Sequence, residues 1–195
     1  MIDNWEYQTD KVAVIPYPSW PNRDGLLGHL YLRTKQDDLL DTVFCGMSGI
    51  DFDRFVTYLS RKDIPAQIYC LQEEGKPFIP IGYCFLHSVD GADGARFAMF
   101  GFCFFKEYWG REELRDLVWL CLAYWFHAIK VDILYGITLK DNFLARNFSR
   151  IFGFEEEAVL RKFLYRQGKR TDARVVLLEK ENFQPLYQSW LAKKS

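Results

Sequence analysis

The sequence lacks the features that mark metal-dependent, membrane-spanning or secreted proteins. Its five cysteines are odd in number and widely spaced, and the three histidines do not complete a metal-ligand pattern. The longest apolar run, Val118–Phe126, is far too short to cross a bilayer. Residues 1–6 contain no basic stretch followed by an apolar core, so we expect no signal peptide. We therefore predict a reduced, cytoplasmic protein without a metal site.

An excess of either charge is also missing. The 25 basic and 26 acidic residues give a net charge of -1, so no positive field gathers nucleic acid. Internal repeats and low-complexity linkers are absent, and we expect a single domain over residues 1–195. The aromatic content of 17% is high and favours wide buried surfaces or a groove.

Hydrophobic periodicity predicts most of the secondary structure. Residues 1–27, in which prolines recur, are predicted to form an irregular lead-in. The predicted elements are, in order, a strand at 30–32, helical segments at 37–44 and 51–59, strands at 66–71, 79–88 and 96–105, a helix at 111–129, a strand at 133–139, a helix at 141–154, a hairpin of 163–165 with 174–178, and an amphipathic helix within 182–195. This order indicates an α/β or α+β domain with a mixed sheet.

The predicted helix at 141–154 carries the most informative pattern, because it has two distinct faces. The apolar face consists of Leu144, Phe148, Ile151 and Phe152. The polar stripe consists of Asn142, Arg146 and Ser149. Asp141 or Asn142 can cap the start of the helix, and Gly153 can end it in the left-handed conformation.

Four short motifs follow one another in the second half of the chain. They are Tyr108-Trp109-Gly110-Arg111, Asn142-x-x-Ala145 with Gly153-Phe154, Glu155-Glu156-Glu157-Ala158-Val159-Leu160-Arg161, and Gly168-Lys169-x-x-Asp172. Through these motifs, residues 81–181 resemble the GCN5-related N-acetyltransferase (GNAT) family, and most closely its RimJ/RimL-like branch, which acetylates the N-termini of ribosomal proteins. The resemblance implies a mixed, mostly antiparallel central sheet with two splayed parallel strands, here 96–105 and 133–139, and flanking helices.

The resemblance also implies an acetyl-CoA-dependent N-acetyltransferase that moves acetyl to a primary amine, on a protein N-terminus or a small molecule, by direct attack. The pyrophosphate would lie at the N-terminus of the 111–129 helix, and the pantetheine arm would pair with the splayed strands. The implied cofactor-binding residues are Phe102, Cys103, Phe104, Gly110, Arg111, Glu113, Asn142 and Arg146. Ser149 would be the catalytic residue, donating a hydrogen bond to the leaving thiolate. The structural alternatives are a surface serine at 149 and a helix cap at 142.

The sequence departs from the family pattern in its phosphate loop. Glu112 and Leu114 stand where the family has a glycine and a small residue. Side chains there keep the backbone away from a phosphate, and a carboxylate repels it. The alternative function is therefore a GNAT-fold binding or assembly protein, of a kind that a phage could encode, that has lost cofactor binding. Such a protein, or a dimer, could dock through residues 182–195.

A general base is needed because an amine is largely protonated at pH 7. The buried strand at 96–105 contains no carboxylate, so the candidates come from elsewhere. They are Glu73, Glu74, His87, Asp90 and Asp172. Cys103 has no histidine placed to activate it and is expected to pack rather than to act as a nucleophile.

Overall fold

A computed structural model describes residues 7–20, 25–44, 49–61, 66–72, 77–91, 95–166 and 169–194. The base candidates Glu73 and Glu74, and Gly168 of the last motif, lie outside the described residues. Within the described residues, seven strands form one sheet in the order β1-β2-β3-β4-β5-β7-β6. The strands are β1 Val12–Pro16, β2 Gln67–Leu71, β3 Ile79–Asp90, β4 Phe97–Phe104, β5 Ile133–Leu139, β6 Glu155–Arg166 and β7 Lys169–Glu179.

The strand pairings confirm the predicted mixed, mostly antiparallel sheet. β4 pairs with β5 in parallel. The pairs β1–β2, β2–β3, β5–β7 and β6–β7 are antiparallel. Two parallel neighbours need a crossover connection, which is usually a helix, and the long helix follows β4 and precedes β5 in the chain.

Six α-helices accompany the strands in the described residues. They are α1 Leu26–Gln36, α2 Leu40–Val43, α3 Phe52–Leu59, α4 Glu113–Ala123, α5 Phe143–Ile151 and α6 Lys180–Leu191. α4 continues without a break into a π-helical turn at Tyr124–Ala128, so the long helix predicted at 111–129 is confirmed. Its second half is almost fully buried, in agreement with its apolar composition.

The chain divides into two compact units. Unit 1 comprises Met1–Leu39, Asp51–Leu86 and Phe102–Ile129. Unit 2 comprises Leu40–Ile50, His87–Gly101 and Lys130–Ser195. The single domain predicted over residues 1–195 stays a prediction.

The predicted irregular lead-in at 1–27 is wrong for residues 12–16. These residues form β1, which pairs with β2 from Val12 to Pro16. Four apolar residues in a row are buried there, and Pro16 is tolerated because it is the last residue of the strand. The prolines therefore mark the end of a strand, not an absence of structure.

The strand predicted at 30–32 is also wrong, because these residues lie within α1. Leu26, Leu30 and Thr34 are buried at a spacing of four residues, which is the period of a helix. The short run that suggested a strand is one turn of this helix.

The terminal hairpin is much longer than the predicted 163–165 with 174–178. β6 and β7 pair from Glu155 to Arg166, with register shifts between Glu156 and Ala158 and between Leu160 and Leu164. The shifts interrupt the alternation of apolar residues on which a strand prediction relies. The hairpin consequently includes the acidic motif at 155–161 as strand.

The amphipathic helix predicted within 182–195 is present as α6. Phe183 and Tyr187 are buried in unit 2, where their rings stack with centroids 5.2 Å apart. Leu186 lies against Gly153 at the end of α5. Phe183 and Tyr187 of α6 therefore pack within the unit, and docking of a partner through 182–195 stays a prediction.

Candidate functional site

The parallel pairing of β4 and β5 is short, and it ends before either strand does. Within residues 95–166, all of which are described, the ladder joins residues 97–99 to 133–135 and ends at Met99 and Tyr135. β4 nevertheless continues to Phe104, and β5 continues to Leu139 while pairing with β7 along its whole length. The part of each strand beyond the ladder keeps backbone N–H and C=O groups that its parallel neighbour does not use. Such groups are available to an extended ligand.

In unit 1, alternate residues of β4 turn their backbone groups to opposite edges of the strand. The Phe105 N–H donates to the Ile81 carbonyl on β3, 3.0 Å away, and the Cys103 carbonyl approaches Gly82 on the same strand. Phe102 and Phe104 therefore use the other edge. There the Trp109 indole N–H donates to the Phe104 carbonyl at 2.8 Å.

These contacts refine the predicted backbone sites on β4. The Cys103 carbonyl faces β3, and the Phe104 carbonyl already accepts a hydrogen bond from Trp109. The backbone groups of Phe102 and the N–H of Phe104 remain on the edge away from β3. Trp109 belongs to the Tyr108-Trp109-Gly110-Arg111 motif, but the sequence does not indicate its hydrogen bond to β4.

The Cys103 side chain is buried, as the packing interpretation predicts. It is 2% exposed, and burial raises the pKa of its thiol to about 12. Its sulfur lies 4.0 Å from the Thr34 hydroxyl, which is also 3.1 Å from the Tyr83 hydroxyl. A thiol with this pKa is not ionised at neutral pH and does not attack a thioester.

We expect Cys103→Ala to retain acetyl transfer within about twofold, because the thiolate that a nucleophile requires does not form. The measurement is the steady-state rate of thiol release from acetyl-CoA. A covalent mechanism through Cys103 would instead lose about a thousandfold or more.

The N-terminus of α4, in unit 1, presents backbone donors to solvent. Among the described residues, the N–H groups of Gly110, Glu112 and Glu113 have no backbone acceptor, and no side chain caps the helix. The Arg111 N–H is different, because it donates to the Tyr108 carbonyl at 3.2 Å. Gly110 has a φ of 84°, which favours glycine there. An 11-residue helix with free N–H groups at its start attracts an anion.

The two departures from the family loop have different consequences in the structure. Leu114 is 5% exposed, so its side chain belongs to the core of unit 1 and leaves the donors accessible. Glu112 is exposed beside the donors and adds a negative charge. The Arg111 guanidinium lies 5.2 Å from the centre of the Tyr108 ring and supplies a nearby positive charge. Glu112 is thus the one substitution of the pair that opposes a phosphate.

We expect Glu112→Gly to tighten acetyl-CoA binding by about tenfold, because it removes a carboxylate beside the pyrophosphate donors. Calorimetric titration measures the change. Glu107→Gln serves as the charge control, since Glu107 lies in the same loop but forms an ion pair with Arg33 at 2.9 Å. An unchanged affinity in Glu112→Gly would contradict a pyrophosphate site at this helix.

In unit 2, α5 forms as predicted, but its faces are not oriented as its amphipathic pattern indicates. Phe152 is buried, whereas Leu144 is 69% and Ile151 43% exposed. The polar stripe is half-buried instead. Leu144 and Ile151, two of the four residues on the apolar side, are therefore exposed rather than packed in the core.

Two residues of the polar stripe bond to the helix itself. The Asn142 side-chain oxygen accepts from the Ala145 N–H at 3.1 Å, so Asn142 is the helix cap. Its side-chain NH₂ is a separate donor. The Ser149 hydroxyl donates to the Arg146 carbonyl at 3.0 Å, and it must leave that acceptor to donate to a thiolate.

Arg146, the third residue of the stripe, pairs with an acidic residue of β6. Its Nε lies 3.4 Å from a Glu156 carboxylate oxygen, an ion-pair distance at which Nε makes no hydrogen bond. Arg174 of β7 donates to the other oxygen of Glu156, and this hydrogen bond lowers the pKa of Glu156. Glu156 of the acidic motif thus pairs with both Arg146 and Arg174, a role that sequence spacing alone does not indicate.

Three of the base candidates, His87, Asp90 and Asp172, lie in the described part of the chain. Asp90 is exposed at the end of β3, and His87 is half-buried on the same strand. Asp172 accepts the Lys162 backbone N–H at 3.0 Å and pairs with Lys140 at 3.1 Å, which together lower its pKa. A carboxylate with a lowered pKa is a weak base, so Asp172 is a poor candidate.

The comparisons with known proteins place the chain in a family. A family model described as an acetyltransferase (GNAT) domain matches residues 49–155, more than half of the chain. The chain therefore belongs to the GNAT acetyltransferase family. The expected N-acetyltransferase is confirmed at the level of the family, and acetyl-CoA is the co-substrate that this family uses.

Solved structures with the same fold have low sequence identity to the chain. Mycobacterium smegmatis RimJ in complex with CoA-disulfide is 16% identical, with a TM-score of 0.72 over 94% of this chain and 89% of that chain. Vibrio cholerae spermidine N-acetyltransferase in complex with CoA and spermine is 17% identical, with a TM-score of 0.71 over 90% of this chain and 99% of that chain. A Bacillus anthracis GNAT-family acetyltransferase is 12% identical, with a TM-score of 0.68 over 89% of this chain and 98% of that chain. At these identities the likeness shows the fold alone.

A search of curated protein sequences found no match. In the described part of the chain, no helix is both long enough and apolar enough to cross a membrane.

Proposed function

We propose that this protein transfers acetyl from acetyl-CoA to a primary amine, on a protein N-terminus or a small molecule, by direct attack. The observation that carries the proposal is the parallel β4–β5 ladder that ends at Met99 and Tyr135 while both strands continue. Backbone groups released in this way suit the amides of a pantetheine arm. RimJ with CoA-disulfide and spermidine N-acetyltransferase with CoA and spermine support this assignment of the ligand.

Two groups of hydrogen-bond donors suit different parts of acetyl-CoA. In unit 1, the free N–H groups of Gly110, Glu112 and Glu113 would bind the pyrophosphate. In unit 2, the Asn142 NH₂ would donate to the pantetheine arm while its oxygen caps α5. Arg146 keeps further N–H donors besides the group that faces Glu156.

Direct attack needs no covalent bond between the acetyl group and the protein. The neutral amine attacks the acetyl carbonyl and the C–S bond breaks. The proton that the amine loses passes through solvent to the leaving CoA thiolate, which becomes the free thiol. Ser149 would donate a hydrogen bond to the thiolate after its hydroxyl leaves the Arg146 carbonyl. The Phe102 backbone N–H, on the edge of β4 away from β3, would stabilise the negative charge on the carbonyl oxygen.

The acceptor is the part of the proposal that a direct assay decides. We expect the protein to release free thiol from acetyl-CoA when a panel of primary amines is supplied, including peptides with free N-termini and polyamines. Mass spectrometry of the amine then shows a gain of one acetyl group. N-terminally blocked peptides that lack lysine are the matched control, and they are expected to remain unmodified.

A second candidate function is a GNAT-fold binding protein without catalysis. The exposed Glu112 beside the pyrophosphate donors favours it, because a carboxylate there opposes acetyl-CoA. This candidate predicts no thiol release with any amine and no binding of acetyl-CoA. Either thiol release or acetyl-CoA binding would exclude it.

A further inference from the structure

A positively lined pocket lies in unit 2, next to Asn142 but built from other residues. It is open to solvent and has a volume of about 460 Å³. Its lining residues are Lys140, Asp141, Phe143, Lys162, Arg170, Thr171, Asp172 and Arg174. Four cationic side chains thus face two carboxylates in a protein whose net charge is -1. A local excess of positive charge of this kind concentrates anions.

The pocket is organised by Asp172, the residue that is a poor base. One carboxylate oxygen of Asp172 accepts from the Lys162 backbone N–H at 3.0 Å, and the other pairs with the Lys140 ammonium at 3.1 Å. Lys162 has a φ of 51°, a conformation that side-chain-bearing residues rarely adopt. It lies where the β6–β7 register shifts between Leu160 and Leu164. The bulge therefore brings the Lys162 side chain into the pocket lining, and Asp172 holds the bulge in place.

Two of the four cations are already neutralised within the unit. Lys140 pairs with Asp172, and Arg174 pairs with Glu156. Among the described residues, neither the Lys162 ammonium nor the Arg170 guanidinium has an ion-pair partner. These two groups can donate hydrogen bonds to the two oxygens of one anion, and a guanidinium can bind both oxygens at once.

The charges in the lining favour an anion with a single charge. Asp141 and Asp172 would repel the doubly charged form of a phosphate monoester more strongly than a carboxylate. The exposed ring of Phe143 offers an apolar wall for the carbon chain that carries the charge. We propose that this pocket binds a carboxylate group of the amine substrate, held by Lys162 and Arg170. The assignment rests on the proposed function, because it places the acceptor beside Asn142.

The test compares amine acceptors that differ only in one negative charge. Short peptides with a free N-terminus carry either glutamate or glutamine at one position, and each pair is assayed for KM and kcat. We expect the glutamate peptide to have a KM about tenfold lower, with a similar kcat, since one charged contact contributes about that factor. In Lys162→Gln and Arg170→Gln the difference should largely disappear. Lys193→Gln, an equal change of charge outside the pocket, should keep it.

The possible results separate this inference from the proposed function. If peptides are acetylated but glutamate and glutamine forms have the same KM in the unmodified protein, the carboxylate site is wrong and the acetyltransferase stands. If no amine is acetylated, calorimetry with the glutamate peptide decides, and absence of binding overturns the site. Binding of inorganic phosphate but not of the peptide also overturns it.

A last comparison excludes the cofactor as the occupant. CoA and 3′-dephospho-CoA are titrated into the unmodified protein and Arg170→Gln. We expect the variant to bind both as the unmodified protein does. A loss of affinity for CoA alone would assign the pocket to the 3′-phosphate of CoA and would overturn the substrate assignment.

Discussion

Gly82→Ala is expected to lower the free energy of unfolding by about 3 kcal/mol, because an added Cβ would overlap the Cys103 carbonyl oxygen. The same Cβ would lie 3.1 Å from the Phe104 Cα, so relief requires movement of the β4 backbone. No flexible side-chain end is available to give way. Urea denaturation followed by circular dichroism measures the loss.

Gly28→Ala is the matched control for this variant. Gly28 lies inside α1, where an added Cβ meets nothing within 4 Å. Alanine forms helix more readily than glycine, so the control should gain up to about 1 kcal/mol. If Gly82→Ala is as stable as the unmodified protein, β3 and β4 do not approach each other as closely as described.

Gly82→Ala also tests the link between this packing and the cofactor. Movement of β4 displaces Phe102 and Phe104, whose backbone groups use the edge away from β3. We therefore expect the folded fraction of the variant to bind acetyl-CoA more weakly. Gly28→Ala should bind acetyl-CoA as the unmodified protein does.

Asn142→Ala is expected to cause two separable losses. The cap on the Ala145 N–H disappears, which costs about 1 kcal/mol of folding free energy. The donor to the pantetheine arm also disappears, which weakens acetyl-CoA binding by about tenfold. Denaturation measures the first loss and calorimetric titration the second.

Asn142→Asp separates the two roles, because aspartate caps a helix about as well as asparagine but its carboxylate has no hydrogen to donate. We expect its stability to match the unmodified protein and its acetyl-CoA affinity to match Asn142→Ala. Recovery of both properties in Asn142→Asp would reduce Asn142 to a helix cap.

Local signals predict α5 well, because they involve neighbours in the chain. Asn142 caps the helix, and Gly153 ends it with a φ of 86°, as the sequence indicates. The direction of its faces depends on Glu156 and Arg174, which approach only after the long hairpin forms. Periodicity assumes that an apolar face turns inward, and this assumption fails where a polar stripe has charged partners within the unit.

The candidate site likewise combines features that neighbouring residues predict with features that depend on tertiary contacts. Its position at the end of β4 and the start of α4 follows from motifs that are contiguous in the sequence. The hydrogen bond from Trp109 to Phe104 and the burial of Leu114 depend on tertiary packing. The pocket around Asp172 joins the end of β5, the bulge in β6 and the start of β7, which are far apart in the chain. No short motif can indicate a cluster of that origin.

Titration of the unmodified protein with acetyl-CoA in a calorimeter tests the central claim most directly. We predict saturable binding of one molecule with a Kd between about 1 μM and 1 mM, in the range that enzymes show for their substrates. The same ligand should raise the melting temperature, because it binds the folded state. The account would be contradicted if millimolar acetyl-CoA gave no heat of binding and no rise in the melting temperature.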